Sequence, residues 1–522
     1  MFNKLNKPLT ALVILLGVYN FFFWNEKLGA NIALFSILLA VTIILLNPDS
    51  LKSRKTLITI CAVIYCCLMT LLNNSAFSKF TLITGLMVFA GYAHQPESKS
   101  LFASFFTYIS TYFMIPVTIL EGFIKTKQKN KVLRTFYTAI KLGVIPILVF
   151  FVFYTMYAAA SPKFSFYSDD ILQHIKDFLY NVFKDYPALR FAFLFLGFIL
   201  LSGVLYNKNI GFFKRYDLLF REKILRDKTN KLVWLNTGKR YISSLRIFKP
   251  GMNSLLTEYK IGVILLILMN LLILGLNIVD IEFLWLNFDP SEITGLASYV
   301  HQGTYMLIFS IILSMVILLF YFRGNLNFYR KNRILKILSL SWICQNVFMA
   351  LSVALRDYYY VIYIHAISYK RIGVLVYLLL TLVGLVTMIL KITQKRSTYN
   401  ILKINSWAVF IVFLLMSSFN WDMVIAEYNI ANPNRSTVDI SYILSLGDDV
   451  LPLVDKNRDL LNNKTEMQRW SPTEQFNNKK LRFMNEQESY SWLSWNLPDR
   501  MVYKYFKNSG NTNNYQGVNN EN

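Results

Sequence analysis

The sequence is short of the residues that fixed-site chemistry usually needs. Its four cysteines, Cys61, Cys66, Cys67 and Cys344, all lie inside apolar runs and none is in a loop. No disulfide framework and no thiolate metal site is implied, and buried Cys behaves as a small hydrophobe. Histidine is as scarce: His94, His174, His301 and His365 are the four, and none stands in the His-x-x-x-His or Cys-x-x-Cys spacing that holds zinc. There is no Walker-type glycine loop, no dinucleotide fingerprint and no Gly-x-Ser-x-Gly elbow. No cofactor, no metal and no catalytic residue is therefore assigned. Charge is missing from the centres of the long apolar runs, which weighs against a proton- or ion-coupled carrier. No internal repeat is visible, so inverted-repeat transport architecture has no support.

What the chain has in quantity is hydrocarbon. Of its 522 residues 55% are hydrophobic and 16% aromatic, with a mean hydropathy of +0.39. Uncharged stretches of about 18 residues recur along it, the length that crosses a bilayer as a helix. The class is all-α, a polytopic transmembrane bundle. The net charge of +24 belongs with this reading and not with nucleic acid, since no nucleic-acid motif accompanies it and membrane topology concentrates cations on one side.

The pair of runs at 261–279 and 305–322 fixes the orientation. The loop between them, 280–304, holds Asp280, Glu282, Asp289 and Glu292 and no Lys or Arg, whereas the flanks 207–260 and 323–336 are strongly basic. Basic flanks face the cytoplasm. Counting outward gives about eleven spans, with the N-terminus inside and the C-terminus outside. The expected organisation is N-terminal spanning helices at 1–93, an interfacial helix and basic loop at 94–141, a spanning pair at 142–206, a basic cytoplasmic segment at 207–260, a spanning core at 261–419, a small helical extracytoplasmic domain at 420–507 and a disordered tail at 508–522. Within the second unit, residues 101–123 are read as lying in the interface, because spanning would put the cations of 125–141 outside. In the C-terminal domain, Ser436/Thr437 is expected to start a helix that Gly447 breaks and 448–461 resumes. Polar residues inside the spans, Asn270, Asn277, Gln345 and Asn346, are expected to bond between helices.

One face collects chemistry. The acidic loop brings Glu292, Tyr299 and His301. The turn 356–371 brings Arg356, Asp357, a run of tyrosines, His365, Tyr369 and Arg371. The exit of the last span brings Asp422 and Glu427. Cations on the outer side oppose the inside-positive trend, so ion pairing is expected. Arg371 should be held by one of Asp280, Glu292, Asp357 or Asp422, because a buried guanidinium needs a carboxylate partner. The ten residues named from Glu292 to Glu427 are the candidate ligand- or partner-binding set.

The same residues carry a resemblance. Asn277-Ile-Val-Asp280-Ile-x-Phe-x-Trp285, Tyr299-Val-His-Gln-Gly-Thr-Tyr305, His365-Ala-Ile-Ser-Tyr-Lys-Arg371, Asn420-Trp-Asp-x-x-Ile-Ala-x-Tyr-Asn-Ile430 and Asp439-Ile-Ser-Tyr-Ile-Leu-Ser-Leu occur in this order. Over residues 258–454 the chain resembles the uncharacterised bacterial multi-pass membrane family called domain of unknown function 4173, related to the 4153 group. It departs from that pattern at the turn, where His365-Ala366-Ile367-Ser368 stands for Tyr-Gly-Leu-Thr, and at Gln302, where Glu is frequent. The resemblance implies a membrane location and no activity, substrate or cofactor. The expected role is a non-enzymatic accessory or signalling component acting through its outer face on a membrane or envelope partner, with the lipid bilayer as its surroundings. The alternatives are a transporter or lipid-handling protein, and a membrane enzyme using the Glu292, His301 and Arg371 region.

The topology is testable directly. A single cysteine placed at Asn457 should react with an impermeant thiol reagent in intact cells, and one placed at Asn236 should not. Labelling of both, or of position 236 alone, contradicts the orientation.

Overall fold

In a computed structural model, residues 2–111, 154, 188–205, 217–225, 254–288, 296–432, 438–462 and 471–516 are described. Among them the chain is helical, with one isolated antiparallel bridge between Lys223 and Arg396. The helices are α1 Phe2–Phe23, α2 Ala30–Leu46, α3 Arg54–Asn73, α4 Ala76–His94, α5 Leu101–Thr111, α6 Ala188–Leu205, α7 Ser254–Asp280, α8 Leu296–Tyr321, α9 Arg333–Ile364, α10 Tyr369–Gln394 and α11 Thr398–Ser417. The shorter α12 Trp421–Ile430, α13 Ile440–Ser445 and α14 Leu451–Lys456 follow, then α15 Pro472–Ser489 and α16 Leu497–Gln516. Six helical stretches, among them Arg333–Ile364 and Tyr369–Gln394, are long and apolar enough to cross a membrane. Several shorter apolar helices, including Ala30–Leu46 and Met306–Tyr321, accompany them. The protein is a multi-pass membrane protein by this criterion. Large side chains such as Leu268, Leu271, Leu272 and Phe309 are exposed along the helix flanks, as expected of surfaces that lipid covers.

Two helical groups share the bundle. One core gathers α1–α4 and α6 around Leu15, Ile43, Cys66 and Phe89. The other gathers α7–α10 around Leu266, Ile311, Trp342 and Leu385. Helix α11 packs on both. Phe413 meets Phe77 of α4 at 5.7 Å, Asn73 at the end of α3 donates to the Ser417 carbonyl at 2.9 Å, and Asn405 donates to Thr387 of α10 at 3.0 Å. Asn270, Asn277 and Gln345 bond between helices as expected, whereas Asn346 donates to the Trp342 carbonyl of its own helix at 2.7 Å. Gln345 donates to Asn270 at 2.8 Å, and Asn270 and Asn277 reach backbone carbonyls of α9.

A third core, built from Ile425, Ile443, Val454, Phe476, Phe483 and Phe506, belongs to the C-terminal residues and includes Ile372 of α10. It seats on one end of the bundle. Lys27, in the α1–α2 corner, pairs with Asp499 at 2.9 Å and Asp448 at 3.5 Å. The Ala30 amide donates to the Trp495 carbonyl at 2.8 Å. Gly29 is needed there because a β-carbon would collide with the Ser494 carbonyl. Asn31, fully buried, closes the corner by accepting from the Gly29 and Ile32 amides and donating to the Phe22 and Lys27 carbonyls.

Several expectations need correction or fall elsewhere. The turn at 356–371 is shorter than expected: α9 runs on to Ile364, so Arg356 and Asp357 lie in a helix and only 365–368 turn. The helix expected from Ser436/Thr437 is instead capped by Asp439, whose carboxylate accepts from the Tyr442 amide at 2.9 Å; residues 433–437 lie outside the described residues. The region 448–461 is not one helix but a short helix between two tight turns. Helix α16 continues to Gln516, through residues where the Asn/Gly-rich composition predicts disorder. Its first turns are anchored by Asn496, which accepts from the Asp499 amide at 2.9 Å, and by buried Val502 and Phe506, and an anchored start lets a weak sequence propagate. Of the expected interfacial helix only Leu101–Thr111 is described. Of the spanning pair expected at 142–206, only Tyr154 and residues 188–205 are described, and most of 207–260 lies outside the described residues.

Candidate functional site

The candidate residues lie where α9 ends, α10 begins and α12 crosses. Helix α9 has 32 residues, about 48 Å at 1.5 Å per residue against a hydrocarbon core of about 30 Å. Arg356 and Asp357 therefore stand near one edge of the apolar slab. They are buried and paired in opposite directions. Arg356 reaches back to Asp280 at the end of α7, and the two side chains are in direct hydrogen-bond contact. Asp357 accepts from Arg371 at 3.0 Å, and both side chains are almost fully enclosed. The Arg371 guanidinium also covers the Tyr360 ring, 3.6 Å from its centre, where the ring quadrupole attracts a cation. Adjacent residues of one helix thus tie it to α7 and to α10. Asp280 and Asp357 each keep one further buried carboxylate oxygen with no donor among the described residues.

The corner beyond these pairs is fixed by amides. His365 takes the left-handed conformation, φ 51°, which ends α9 and lets the chain reverse. The positive φ therefore falls on His365 and not on Ala366, so alanine at 366 carries no left-handed strain. Asn429 of α12 holds the corner by both amide atoms, accepting from the Ile367 amide at 2.7 Å and donating to its carbonyl at 3.0 Å. The Tyr369 amide donates to the Tyr442 hydroxyl at 3.1 Å, and the Tyr369 hydroxyl donates to Asp422 at 2.8 Å. Both the Asp449 and Asp422 carboxylates approach Gly447, where a β-carbon would collide with them. Asn420 donates to Asp449 at 2.6 Å. Lys479 closes the end of α13 by donating to the Leu444 and Gly447 carbonyls at 3.0 and 2.8 Å and to that of Leu446. Burial pushes the Asp449 carboxyl up to about 6, with the Asp422 charge adding to it and the Asn420 hydrogen bond and Lys479 opposing. Burial likewise lowers Lys479.

The structure brings some candidates together and scatters others. Arg356, Asp357 and Arg371 form one buried cluster; Tyr369 and Asp422 form a hydrogen bond at its rim. His365 and Glu427 are exposed nearby. Glu292 lies outside the described residues, and Tyr299 and His301 lie on α8, their side chains outside the description. Sequence reasoning placed Asn429 at the exit of the last span without its role at the corner, and missed Tyr442, Asp449 and Lys479 as parts of this site. Asn429 and Tyr442 do sit in the ordered blocks that carry the family resemblance, which was the available signal. A second feature it missed is a depression of about 270 Å³ on the C-terminal residues, lined by Tyr490, Trp492, Trp495, Asp499, Arg500 and Tyr503.

Two outcomes follow. Arg371→Ala should cost about 3–5 kcal/mol, because it leaves Asp357 buried and unpaired, and Arg371→Ala with Asp357→Ala should cost less than the sum of the singles. Thermal unfolding of the purified protein in detergent measures both, and strict additivity would show no coupling. For Asp449, a carboxyl at about 6 against an ordinary 3.8 favours the protonated form in the folded protein. Its stabilising contribution is fully present below the ordinary value and is lost as pH rises through about 6. Acidification from pH 7.5 to 5 should therefore raise the melting temperature of the wild type relative to Asp449→Asn, and the variant should be the more stable at pH 7.5. An unchanged difference between the two across that range removes Asp449 as the titrating group.

The comparisons agree with the ordered blocks. No curated protein and no solved structure matches the chain. The sequence profile of the family described as Domain of unknown function (DUF4153) matches residues 10–457, which takes in the bundle, the Arg–Asp pairs, the corner at 365–368 and α12–α14. The chain belongs to that family.

Proposed function

We propose that this protein is a non-enzymatic accessory or signalling component of the bacterial inner membrane that works by presenting its outer face to an envelope partner. Within its family it is assigned to the narrower 4173 group, on the ordered blocks between Asn277 and Leu446. The end carrying Arg221, Lys223, Arg323, Arg330, Lys331, Arg333, Lys395 and Arg396 is taken as cytoplasmic, and the end carrying the C-terminal residues as extracytoplasmic. The observation that supports a docking role is the aromatic surface around the depression at 487–503. Trp492 is 64% exposed and Met501 64%, with Arg500 and Tyr503 beside them. Trp, Tyr and Arg are the residues that dominate binding energy at interfaces. In this reading Arg356, Asp357 and Arg371 are internal struts. His365, Tyr369, Asp422 and Glu427, with Glu292, Tyr299 and His301, extend the contact rim. The bonds of Asn270, Asn277 and Gln345 between helices support this reading over transport.

The test is site-specific photo-cross-linking in native membranes, with the photoreactive residue at Trp492 or Tyr503 and, as control, at Leu51 of the opposite end. A discrete adduct from the first two positions and none from the third is expected. Trp492→Ala with Arg500→Ala should weaken that adduct about thirtyfold in affinity, the scale of an interface hot spot. No adduct from either outer position, or one of equal yield at Leu51, would overturn the reading.

A further inference from the structure

At the basic end of the bundle, segment 217–225 is bound tightly between α5 and α11. Asp217, 2% exposed, accepts from the Ser98 hydroxyl at 3.0 Å, the Ser100 and Tyr399 hydroxyls at 2.7 Å each, and the Lys99 amide. The Ile224 amide donates to the Lys395 carbonyl and the Ser397 amide to the Glu222 carbonyl, each at 2.9 Å. Phe220 stacks on Tyr399 with ring centres 5.7 Å apart. These contacts enclose one side of a cavity of about 530 Å³, within the usual size range of small-molecule sites. Its walls are chiefly carbon, from Phe102, Ala103, Phe220, Tyr399 and Leu402, with Lys403 at the edge.

The surroundings are positive. Ser100 at the start of α5 and Ser397, Thr398 and Tyr399 at the start of α11 line the cavity, so two helix N-termini open on it. Lys403 lies 2.7 Å from Glu222, and Arg396 lies 3.9 Å from the same carboxylate. Hydrogen bonding from Lys403, then its charge, with Arg396 and Lys99 adding to it, hold the Glu222 carboxyl below its ordinary range. Lys99 carries its ammonium to the Leu218 carbonyl at 3.1 Å. Lys391 is fully buried and donates to Thr398 at 3.1 Å and to the Arg396 carbonyl at 3.4 Å, both neutral. Against Lys99, Lys391, Arg396 and Lys403 stand Glu222 and Asp217, and the oxygens of Asp217 are already taken by four donors.

We propose that this cavity holds one anionic phospholipid of the adjacent leaflet, its acyl carbons against Phe102, Ala103, Phe220 and Leu402 and its phosphate toward Lys99, Lys403 and the two helix ends. An apolar wall with a cationic rim, at the basic end of spanning helices, matches both parts of such a molecule. A zwitterionic lipid fills the apolar part and leaves the charge surplus unanswered. Inorganic phosphate does the reverse. The proposal is independent of the outer-face reading.

The experiment uses the full-length protein in mild detergent. Phosphatidylglycerol or phosphatidylethanolamine is titrated in, and bound lipid is counted by native mass spectrometry with melting temperature read in parallel. Phosphatidylglycerol should bind as one molecule with about tenfold preference, the scale of roughly one to two basic side chains at a membrane surface. Leu402→Trp, which fills the cavity from a half-exposed position, should abolish that molecule while leaving the lipid-free melting temperature unchanged. Lys99→Glu should remove the preference between headgroups and retain apolar filling. Equal binding of the two lipids, protection by inorganic phosphate alone, or undiminished binding in Leu402→Trp with Lys99→Glu each overturns the proposal.

Discussion

Hydrocarbon will not hold an unpaired charge, and that constraint sorts this chain. Each described spanning helix carries its ionised side chains near its ends: Arg54 and Lys55 on α3, Lys79 on α4, Glu258 and Asp280 on α7, Arg356 and Asp357 on α9, Arg371 and Lys391 on α10. Once charge is confined to two layers, the layers differ in what they do with it. One holds mainly cations. The other holds Asp280, Arg356, Asp357 and Arg371 in carboxylate–cation pairs and Asp422 and Asp449 in a hydrogen-bonded corner.

The corner at 365–368 shows what that spending achieves. An Arg–Asp pair in low dielectric loses much of its Coulomb energy to desolvation cost, so such pairs are weak evidence for stability as such. Here two pairs run in opposite directions from adjacent residues. Arg356 fixes α9 to α7, Asp357 fixes it to α10, and the Arg371 guanidinium is held flat on Tyr360. Asn429 then pins the short turn between α9 and α10 to α12. Register between four helices and the C-terminal residues is set at one point, and register is the best-attested use of buried ionic groups.

Much of this was legible in the sequence for a physical reason: a spanning helix is a long uncharged run. Asn270 and Gln345 were legible as interhelical partners because a bilayer offers polar side chains no other outlet. Arg371 was legible as a paired cation because it opposes the charge trend of its side. The extent of α9 was not. A hydropathy run stops at Arg356, since hydropathy treats each charge as unpaired, and the pairing that lets the helix continue to Ile364 comes from residues 76 and 14 positions away. The role of Asn429 was hidden for the same reason, because an amide that caps a distant turn looks like any helix-surface asparagine. The last turns of helix α16, from residue 508, were expected to be disordered because composition ignores the Asn496 and Asp499 contacts that start the helix.

Helix α11 joins the two layers. Its N-terminal residues line the cavity beside Lys403, and its C-terminal turn is bound to α3 through the Asn73–Ser417 bond and the contact between the Tyr65 and Ser418 hydroxyls. Asn420 then caps α12 through the Met423 amide at 3.2 Å while donating to Asp449. A helix of 20 residues is stiff along its axis, so a shift of its start must be absorbed either by sliding against α3 or by the Asn420 cap. The first would break bonds whose groups have no water to turn to. The second would only exchange one acceptor of Asn420 for another in a partly solvated layer. The cheaper response lies at Asn420 and Asp449, beside the Asp422–Tyr369 contact.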